Sequence, residues 1–239
     1  MTEPTAPVAK LSLTAVSSGY GAINIIDALS MAVPRGQIFA LMGKNGMGKT
    51  TLLKTILGFV SMRSGSIDLD GQPIAGASPA SLVASGVAYA PQEHALFQEL
   101  TIRDNLRLAL HTDKELKQGI ERVCQHFPFL RERVNQKAGT LSGGEQKMLI
   151  LGRALMLQPK LLLIDEISEG LQPSVVERIG RVLVEECRAN NTTVLMVEQN
   201  LDLVLGIANR WAVLKLGRID DAGEMDSGSR ARILAHLKI

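Results

Sequence analysis

The sequence is poor in cysteine. Cys124 and Cys187 are the only two cysteines in 239 residues, and they lie far apart with neither a CxxC nor a histidine spacing around them. This pattern supports neither a disulfide framework nor a cysteine–histidine metal site. We therefore expect two free, buried thiols in a reducing compartment.

The sequence also lacks a segment suited to export or to crossing a membrane. The first ten residues, MTEPTAPVAK, contain an acid and two prolines where a signal peptide would need a basic start and an apolar run. Residues 71–92 are uncharged, but they are rich in proline, glycine and serine and cannot form a membrane-spanning helix. We expect a soluble, cytosolic chain whose membrane role, if it has one, comes through a partner.

Neither sign of charge is in excess. The 26 basic and 24 acidic residues leave a formal net charge of +2, which gives no argument for nucleic acid as a partner. The Asn-Lys-x-Asp motif of guanine-nucleotide enzymes is absent, as are internal repeats and low-complexity linkers. With 46% hydrophobic residues, the chain can bury one substantial core or two modest cores that share an interface.

Short apolar runs alternate with helical patterns, which predicts an α/β fold with a largely parallel central sheet. The predicted strands are Gln37–Met42, Ser66–Leu69, Val87–Ala90, Lys160–Asp165, Thr193–Val197 and Trp211–Leu216. The predicted helices cover Gly48–Leu57, a segment capped by Ser78 with Pro79 in its first turn, and Val175–Cys187. The charged segment Thr101–Arg133 has helical but no strand periodicity, so we expect a helical subdomain inserted into the α/β core.

GKNGMGKT, residues 43–50, matches the phosphate-binding pattern Gly-x-x-x-x-Gly-Lys-Thr and follows a predicted strand. Its glycines, Gly43, Gly46 and Gly48, allow backbone N–H groups to surround a polyphosphate. Lys49 can reach the terminal phosphates, and the Thr50 hydroxyl can bind Mg²⁺. A glycine-rich turn with a surface lysine is the alternative, but the position between strand and helix favours nucleotide binding.

LLLIDE, residues 161–166, places two acids at the end of an apolar strand. Asp165 can hold the Mg²⁺ shell, and Glu166 can polarise an attacking water as a general base, a role worth roughly 10²–10⁴ in rate. Alone, the pair could be a solvated strand end. Its presence beside a phosphate-binding loop favours the catalytic interpretation.

LSGGEQKM, residues 141–148, resembles a second phosphate-binding turn. Ser142 and Glu145 form a Ser-x-x-Glu capping box, and Gly143 and Gly144 leave the N-terminus of the helix bare for an anion. An ordinary capped helix would also fit. If the turn does bind phosphate, it either converges with the first loop or binds the nucleotide of another subunit.

Together these motifs resemble the nucleotide-binding subunits of ABC transporters, over about residues 11–223. The motifs that carry the resemblance, in their family order, are GKNGMGKT, the glutamine of YAPQ, LSGGEQ, LLLIDE and SEGLQP. The resemblance implies a P-loop ABC-type domain spanning residues 1–239, with a mostly parallel core sheet, an antiparallel β part and an inserted helical subdomain with the signature at about 93–145. It implies ATP and Mg²⁺ as cofactors, adds Asn45 and Thr51 to the nucleotide-binding residues, and implies that LSGGEQ completes the ATP site of an opposing subunit.

The resemblance implies three further features. Tyr20 falls where the family stacks an aromatic ring on adenine, although a core tyrosine in a strand is the alternative. Gln92 falls where the family links Mg²⁺ and the attacking water to the membrane domain. The following segment, residues 93–106, is expected to dock two transmembrane permease subunits at the cytoplasmic face of the membrane, with a solute-binding protein as an indirect partner.

The sequence departs from the general family pattern at three positions. Gln199 stands where most members have a histidine that contacts the γ-phosphate; a neutral amide can donate a hydrogen bond there but cannot become charged. Ile167 replaces a proline, and Gln172 replaces an aspartate. These variants are similar to the smaller ATPase of branched-chain amino-acid importers and of related urea and short-amide importers, which pair two different ATPase chains.

Three classes of function remain to be separated. The motifs favour a transporter ATPase that drives import through separate membrane subunits. A soluble ABC ATPase of translation or DNA repair would usually carry a second cassette or a long coiled coil, and this chain has neither. A small-molecule kinase or GTPase would share the phosphate loop but would have no use for LSGGEQ.

Overall fold

The computed structural model describes residues 9–92 and 95–237. Residues 1–8, which belong to the stretch predicted not to be a signal peptide, therefore lie outside the described residues. Glu93 and His94 of the predicted docking segment also lie outside them. No helix within the described ranges is both long enough and apolar enough to cross a membrane.

The elements form two sheets and a group of helices. The antiparallel sheet has the order β2-β1-β4-β5 and the larger sheet has the order β10-β9-β3-β8-β7-β6. The strands are β1 (Ala9–Tyr20), β2 (Ile23–Pro34), β3 (Ile38–Met42), β4 (Met62–Leu69), β5 (Gln72–Pro73), β6 (Val87–Ala90), β7 (Leu161–Asp165), β8 (Thr193–Glu198), β9 (Arg210–Lys215) and β10 (Arg218–Glu224). The helices are α1 (Lys49–Ile56), α2 (Pro79–Ala84), α3 (Ile102–Arg107), α4 (Leu116–His126), α5 (Phe129–Glu132), α6 (Gly143–Leu155), α7 (Pro173–Asn190), α8 (Leu201–Ile207) and α9 (Ser229–Leu237).

The larger sheet is parallel from β9 through β6, and only β10 runs antiparallel at its edge. Together with the separate antiparallel sheet and the helices α3 to α6 between β6 and β7, this confirms the expected fold class. The predicted strands and helices are confirmed with small changes at their ends. β4 begins four residues earlier than predicted, and Leu216 lies in a turn with φ 48° rather than in β9.

The parallel strands are continuous apolar runs because both of their faces are buried. All five residues of β7 are buried, and they alternate between two cores. Leu162 and Ile164 face the core shared with α3, α4, α6 and α7, whereas Leu161 and Leu163 face the core closed by α1 and the antiparallel sheet. The chain thus forms two cores that share one sheet, the second of the two arrangements that its composition allows.

The cysteines are both free, as expected, but they differ in burial. Cys124 lies on the buried face of α4, whereas Cys187 on α7 is only partly buried. The expectation of two buried thiols is therefore wrong for Cys187. Cys187 lies at the edge of the apolar face of α7, where desolvation and the nearby Glu186 carboxylate still raise its thiol pKa to about 12. A thiol with such a pKa is almost fully protonated near neutral pH.

Candidate nucleotide site

The loop at residues 43–50 joins β3 to α1, in the strand–loop–helix arrangement that phosphate binding needs. Gly43 leaves no room for a side chain, because a Cβ there would lie 2.6 Å from the carbonyl oxygen of Leu214. Gly48 caps α1 with φ 104°, a left-handed conformation that suits glycine. The two positions explain why the loop needs glycine for its close packing and its turn.

Lys49 begins α1 and is almost completely buried, with 4% of its side chain exposed. Its ammonium donates to the carbonyl oxygens of Gly43 at 2.8 Å and Lys44 at 3.0 Å. It also pairs with the Glu166 carboxylate, the Nζ–Oε1 distance being 2.9 Å. The charge of Lys49 is therefore held between the start of the phosphate loop and Glu166.

Asp165 ends β7 and contacts two hydroxyl groups. The Thr50 hydroxyl donates to Oδ1 and the Tyr89 hydroxyl donates to Oδ2, each at 3.1 Å. Burial raises the pKa of Asp165, while these two hydrogen bonds act in the opposite direction. Burial and the Asp165 charge also raise the pKa of Tyr89, which keeps its hydroxyl protonated as a donor.

Glu166 follows β7 with φ 43°, a left-handed conformation that is uncommon for a residue with a side chain. Its backbone N–H donates to the Val197 carbonyl at 3.0 Å, which anchors this turn to β8. Its carboxylate pairs with Lys49 and accepts hydrogen bonds at Oε2 from Gln199 at 2.9 Å and from Gln92 at 3.3 Å. Three side chains from separate parts of the sequence thus converge on this carboxylate.

Gln199 bridges two of the motifs. Its amide nitrogen donates to Glu166 and also to the Asn45 side-chain oxygen of the phosphate loop at 2.7 Å. The preceding residue, Glu198, is buried and accepts from the backbone N–H of Ser168 at 3.0 Å and from its hydroxyl at 2.7 Å. Burial raises the pKa of Glu198, although these hydrogen bonds oppose that effect. The turn after β8 is therefore fixed to the turn after β7.

Gln92 connects the site to the helical segment. Its side-chain amide nitrogen also donates to the Glu169 carboxylate, and its backbone carbonyl oxygen accepts from the ammonium of Lys147 on α6. A groove of about 570 Å³ lies beside it, bounded by Ala95, Leu96 and α6. The arrangement places the phosphate site, the segment after β6 and the helix that carries LSGGEQ in direct contact.

The signature turn forms the predicted capping box at the start of α6. The Ser142 hydroxyl accepts from the Glu145 N–H at 3.3 Å, and the Glu145 carboxylate accepts from the Ser142 N–H at 2.9 Å. Ser142 and Gly143 are exposed, and Gly144 is partly exposed. The N-terminus of α6 is therefore open to an anion from outside the chain.

Two predicted residues take no direct part in these contacts. Thr51 lies in the first turn of α1, where its carbonyl accepts from the Thr55 hydroxyl at 2.8 Å. Tyr20 ends β1 and is 51% exposed, so the alternative of a core tyrosine is wrong. Its strand partner β2 reaches the phosphate loop, because a Cβ on Gly48 would lie 2.9 Å from Ile26 Cδ1.

The oxygen atoms beside Thr50 fit a magnesium ion. A hydroxyl and a carboxylate 3.1 Å apart are hard oxygen donors of the kind that Mg²⁺ prefers. Within the described ranges, no cluster of three or more His, Cys, Asp or Glu side chains could hold a metal ion. Mg²⁺ in nucleotide sites commonly takes one or two protein ligands and completes its shell with water and phosphate oxygens.

Comparison with known proteins identifies the family. The sequence profile described as "ABC transporter" matches residues 26–169, a range that contains the phosphate loop, the signature and both acids. The chain belongs to the ABC transporter family. It is an ATP-binding and ATP-hydrolysing subunit of an ABC transporter, which agrees with the convergence of Lys49, Asp165 and Glu166 in one site.

Individual ABC proteins are similar over almost the whole chain. The chain is 42% identical over 211 residues to the high-affinity branched-chain amino acid transport ATP-binding protein BraG of Pseudomonas aeruginosa, covering 87% of this chain and 90% of that protein. It is 36% identical to the probable branched-chain amino acid transport ATP-binding protein LivF of Archaeoglobus fulgidus, covering 93% of each. A nucleotide-free ATP-binding cassette from an ABC transporter superposes with a TM-score of 0.87 at 25% identity, covering 95% of both chains.

Two residues that the motifs did not predict also reach the nucleotide site. Tyr89 lies on β6, next to β7, and its hydroxyl reaches Asp165 across 76 positions of sequence. Glu198 lies at the end of β8 and joins the two turns beside the site. The available signal was a polar residue within or at the end of an otherwise apolar strand, as in VAYA and TVLMVE.

Proposed function

We propose that this chain powers the import of a branched-chain amino acid or a similar small polar solute through separate membrane subunits. The support is its likeness to two ATP-binding proteins named for branched-chain amino acid transport. Urea and short amides are the alternative solutes, because the resemblance at Gln92 and at SEGLQPS, residues 168–174, favours the urea branch, whereas Asn200 favours the amino-acid branch. The ATPase site itself has no contact with the solute under this proposal.

The proposed hydrolytic mechanism assigns one role to each part of the site. The backbone N–H groups of the phosphate loop, with Lys49 and Asn45, bind the triphosphate, and Thr51 supports it from the first turn of α1. Thr50, Asp165 and Gln92 would hold Mg²⁺, which would neutralise phosphate charge.

Glu166 accepts the proton of the attacking water. The observation that carries this assignment is its buried carboxylate, on which Lys49, Gln92 and Gln199 all converge. A triphosphate that takes the ammonium of Lys49 leaves Oε1 of Glu166 available to the water. Gln199 then donates a hydrogen bond that orients the carboxylate and can reach the transferred phosphate.

We infer that Ser142, Gly143 and Gly144 bind the nucleotide of an opposing subunit. The exposed N-terminus of α6 supports this, because its capping box satisfies the helix while leaving the two glycines bare. The presence of Gln199 in place of histidine supports pairing with a different ATPase chain. Two unequal ATP sites would then form between the two chains.

We also propose that residues 1–239 act as one nucleotide-binding domain, in which about residues 93–145 form the coupling and helical part. The groove beside Gln92, about 570 Å³ in volume, would receive a segment of a transmembrane permease subunit. Two permease subunits would hold the chain at the cytoplasmic face of the membrane, with a solute-binding protein acting on their other side. The near-balanced charge gives no support to nucleic acid as a partner.

Two variants of the assembled transporter test the hydrolytic roles. Lys49→Ala is expected to weaken ATP binding and abolish turnover, because the loop loses its only buried ammonium among the described residues. Glu166→Gln is expected to bind ATP normally and to stop after the closed dimer forms. Binding is measured by titration calorimetry and turnover by phosphate release; normal turnover in Glu166→Gln would remove this residue from the role of base.

The solute is tested separately in proteoliposomes that contain the co-purified membrane subunits. ATP-dependent uptake of leucine, isoleucine or valine, without uptake of urea, would support the proposal. Uptake of urea alone would favour the alternative branch. Co-purification with nucleic acid and with no membrane subunit would instead favour a soluble ABC ATPase.

A further inference from the structure

Arg63 occupies an irregular position in the antiparallel sheet. β1 and β4 pair Ser17 with Ser64 and Ser18 with Met62, so one step along β1 corresponds to two steps along β4. Arg63 is the additional residue of this β-bulge. Bulges turn a side chain away from the regular alternation of the strand, and here the side chain points toward the turn that joins β1 to β2.

The guanidinium of Arg63 contacts four consecutive residues, namely the two residues of that turn and the first two residues of β2. Nη2 donates to the carbonyl oxygens of Gly21 at 2.7 Å and Ile23 at 3.0 Å. Nη1 donates to the carbonyl oxygen of Ala22 at 3.4 Å and to the side-chain oxygen of Asn24. A planar group with donors in a fixed fork can satisfy several acceptors at once, which a lysine ammonium cannot reproduce with the same geometry.

The turn receives little support from the packing of its own side chains. Tyr20 and Ile23 face each other across the hairpin, yet they are 51% and 67% exposed. The hydrogen bonds of Arg63 therefore add to the backbone pairing of β1 with β2 in holding the turn next to Tyr20. The strand that leaves the turn passes the phosphate loop at Ile25 and Ile26, so the turn stands beside the nucleotide site.

We propose that Arg63 is a positioning residue that holds the turn at residues 21–24 so that Tyr20 is ready to receive the adenine base. This inference rests on the proposed ATP-binding function and on the adenine-stacking role that the family resemblance implies for Tyr20. A turn that is ordered before binding loses less conformational entropy when the base arrives, and this raises affinity without a new contact to the ligand. Through Tyr20, Arg63 affects the binding of the base and not the binding of the phosphates. A residue needed only for folding would affect both.

Titration calorimetry with ATP and with inorganic tripolyphosphate, on the full chain, tests this separation. Tyr20→Ala is expected to weaken ATP binding roughly tenfold, the order of one base-stacking contact. Arg63→Met is expected to weaken ATP binding about fivefold and Arg63→Lys by less, with the affinity for tripolyphosphate unchanged within about twofold. The variant with both Tyr20→Ala and Arg63→Met is expected to match Tyr20→Ala alone, because Arg63 acts through the ring.

Arg35→Met serves as the matched control. Arg35 follows β2 at its far end and pairs with Asp70, so its loss removes an arginine contact of the same sheet without touching the turn. We expect this control to bind ATP as the wild type does. Thermal unfolding of every variant shows whether the fold is retained, and Arg63→Lys keeps the test open if Arg63→Met unfolds.

Several results would overturn the inference. If Tyr20→Ala weakens ATP binding and neither Arg63 variant does, Arg63 does not position the ring, while the role of Tyr20 stands. If Arg63→Met weakens the binding of ATP and of tripolyphosphate equally, Arg63 acts on the domain as a whole. The same conclusion follows if the variant with both substitutions binds ATP more weakly than Tyr20→Ala alone. If Tyr20→Ala has no effect on ATP binding, the stacking role is wrong and this inference is wrong with it. A wild-type chain that binds neither ATP nor tripolyphosphate would instead contradict the proposed function itself.

Discussion

Replacement of Gln199 by alanine is expected to slow ATP hydrolysis at this chain's site without preventing it. The Gln199 amide nitrogen lies 2.9 Å from the Glu166 carboxylate and 2.7 Å from the Asn45 side-chain oxygen. Alanine removes both hydrogen bonds, so Glu166 loses one of the three side chains that hold its carboxylate. Lys49 and Gln92 still contact Glu166, so the proposed general base remains in the site.

The magnitude follows from the bond to the charged partner. A hydrogen bond to a charged group contributes about 1.5–3 kcal/mol, and one between neutral groups contributes about 0.5–1.5 kcal/mol. Gln199 is exposed, so water replaces part of the lost interaction. A net loss of about 1–2 kcal/mol in transition-state stabilisation corresponds to a decrease in kcat of about 5- to 30-fold.

Steady-state phosphate release by the assembled transporter measures this effect. We expect kcat to fall in Gln199→Ala with a smaller change in KM, since Lys49 and the backbone N–H groups of the phosphate loop are retained for nucleotide binding. Gln199→His is expected to match or exceed the wild type, because an imidazole can donate the same bond and can also carry charge. Gln125→Ala, an exposed glutamine on α4, is the control. A kcat for Gln199→Ala within twofold of the wild type would refute the assignment.

The same experiment addresses the two unequal sites of the proposed heterodimer. If a partner chain with histidine at the matching position turns over faster, loss of the partner's catalytic glutamate costs more activity than Glu166→Gln. If Glu166→Gln removes the larger share, glutamine is an adequate substitute and the asymmetry runs the other way. Equal shares would indicate that Gln199 does not set the rate.

Two further predictions concern the helical segment. Glu99→Lys reverses the charge on one side of the exposed ion pair with Lys137, near the proposed docking groove, and is expected to reduce transport more than soluble ATPase activity. Glu121→Lys on α4 is the control and is expected to affect neither activity. Equal losses in both assays for Glu99→Lys would argue against docking. The hydrogen bond that His126 donates to the Glu186 carboxylate raises the pKa of His126. At Glu186, this bond and one donated by Asn190 outweigh burial and lower the pKa. The contribution of His126 to stability is therefore full below its ordinary pKa of 6.5 and is lost as the pH rises through its raised pKa. The contribution of Glu186 is full above its ordinary pKa of 4.5 and is lost as the pH falls through its lowered pKa. His126→Gln should lower the free energy of unfolding in urea by about 1 kcal/mol near pH 5.5 and by much less at pH 9, and a pH-independent difference would contradict this.

The parallel strands could be predicted from sequence because burial on both faces makes them continuous apolar runs. β3, β6, β7 and β8 agree with their predicted bounds to within a residue or so at each end. The two long strands β1 and β2 could not be placed in the same way. Their pairing shifts register at several points, and Ala15 and Ala28 have φ of 48° and 46°, so the apolar residues do not keep a regular alternation.

The motifs predicted most of the site, but they did not predict how its members contact one another. Spacing alone placed Lys49 and Thr50 at a phosphate loop and Asp165 and Glu166 at a strand end. The Lys49–Glu166 ion pair depends on the left-handed turn at Glu166, a conformation that costs on the order of 1–3 kcal/mol for a residue with a side chain. No pattern in LLLIDEIS indicates that turn, because its stabilising bond comes from Val197 on another strand.

The strand order explains why one residue, Gln199, contacts both halves of the site. In the sheet, β8 lies between β3 and β7, although it follows both of them in sequence. The three strands are parallel, so their carboxyl ends meet at one edge, where the phosphate loop follows β3 and Glu166 follows β7. A side chain just beyond β8 therefore stands between Asn45 and Glu166 and can bond to both. A substitution at Gln199 removes one hydrogen bond to the phosphate loop and one to Glu166, whereas a substitution at Asn45 removes only the first of these two bonds.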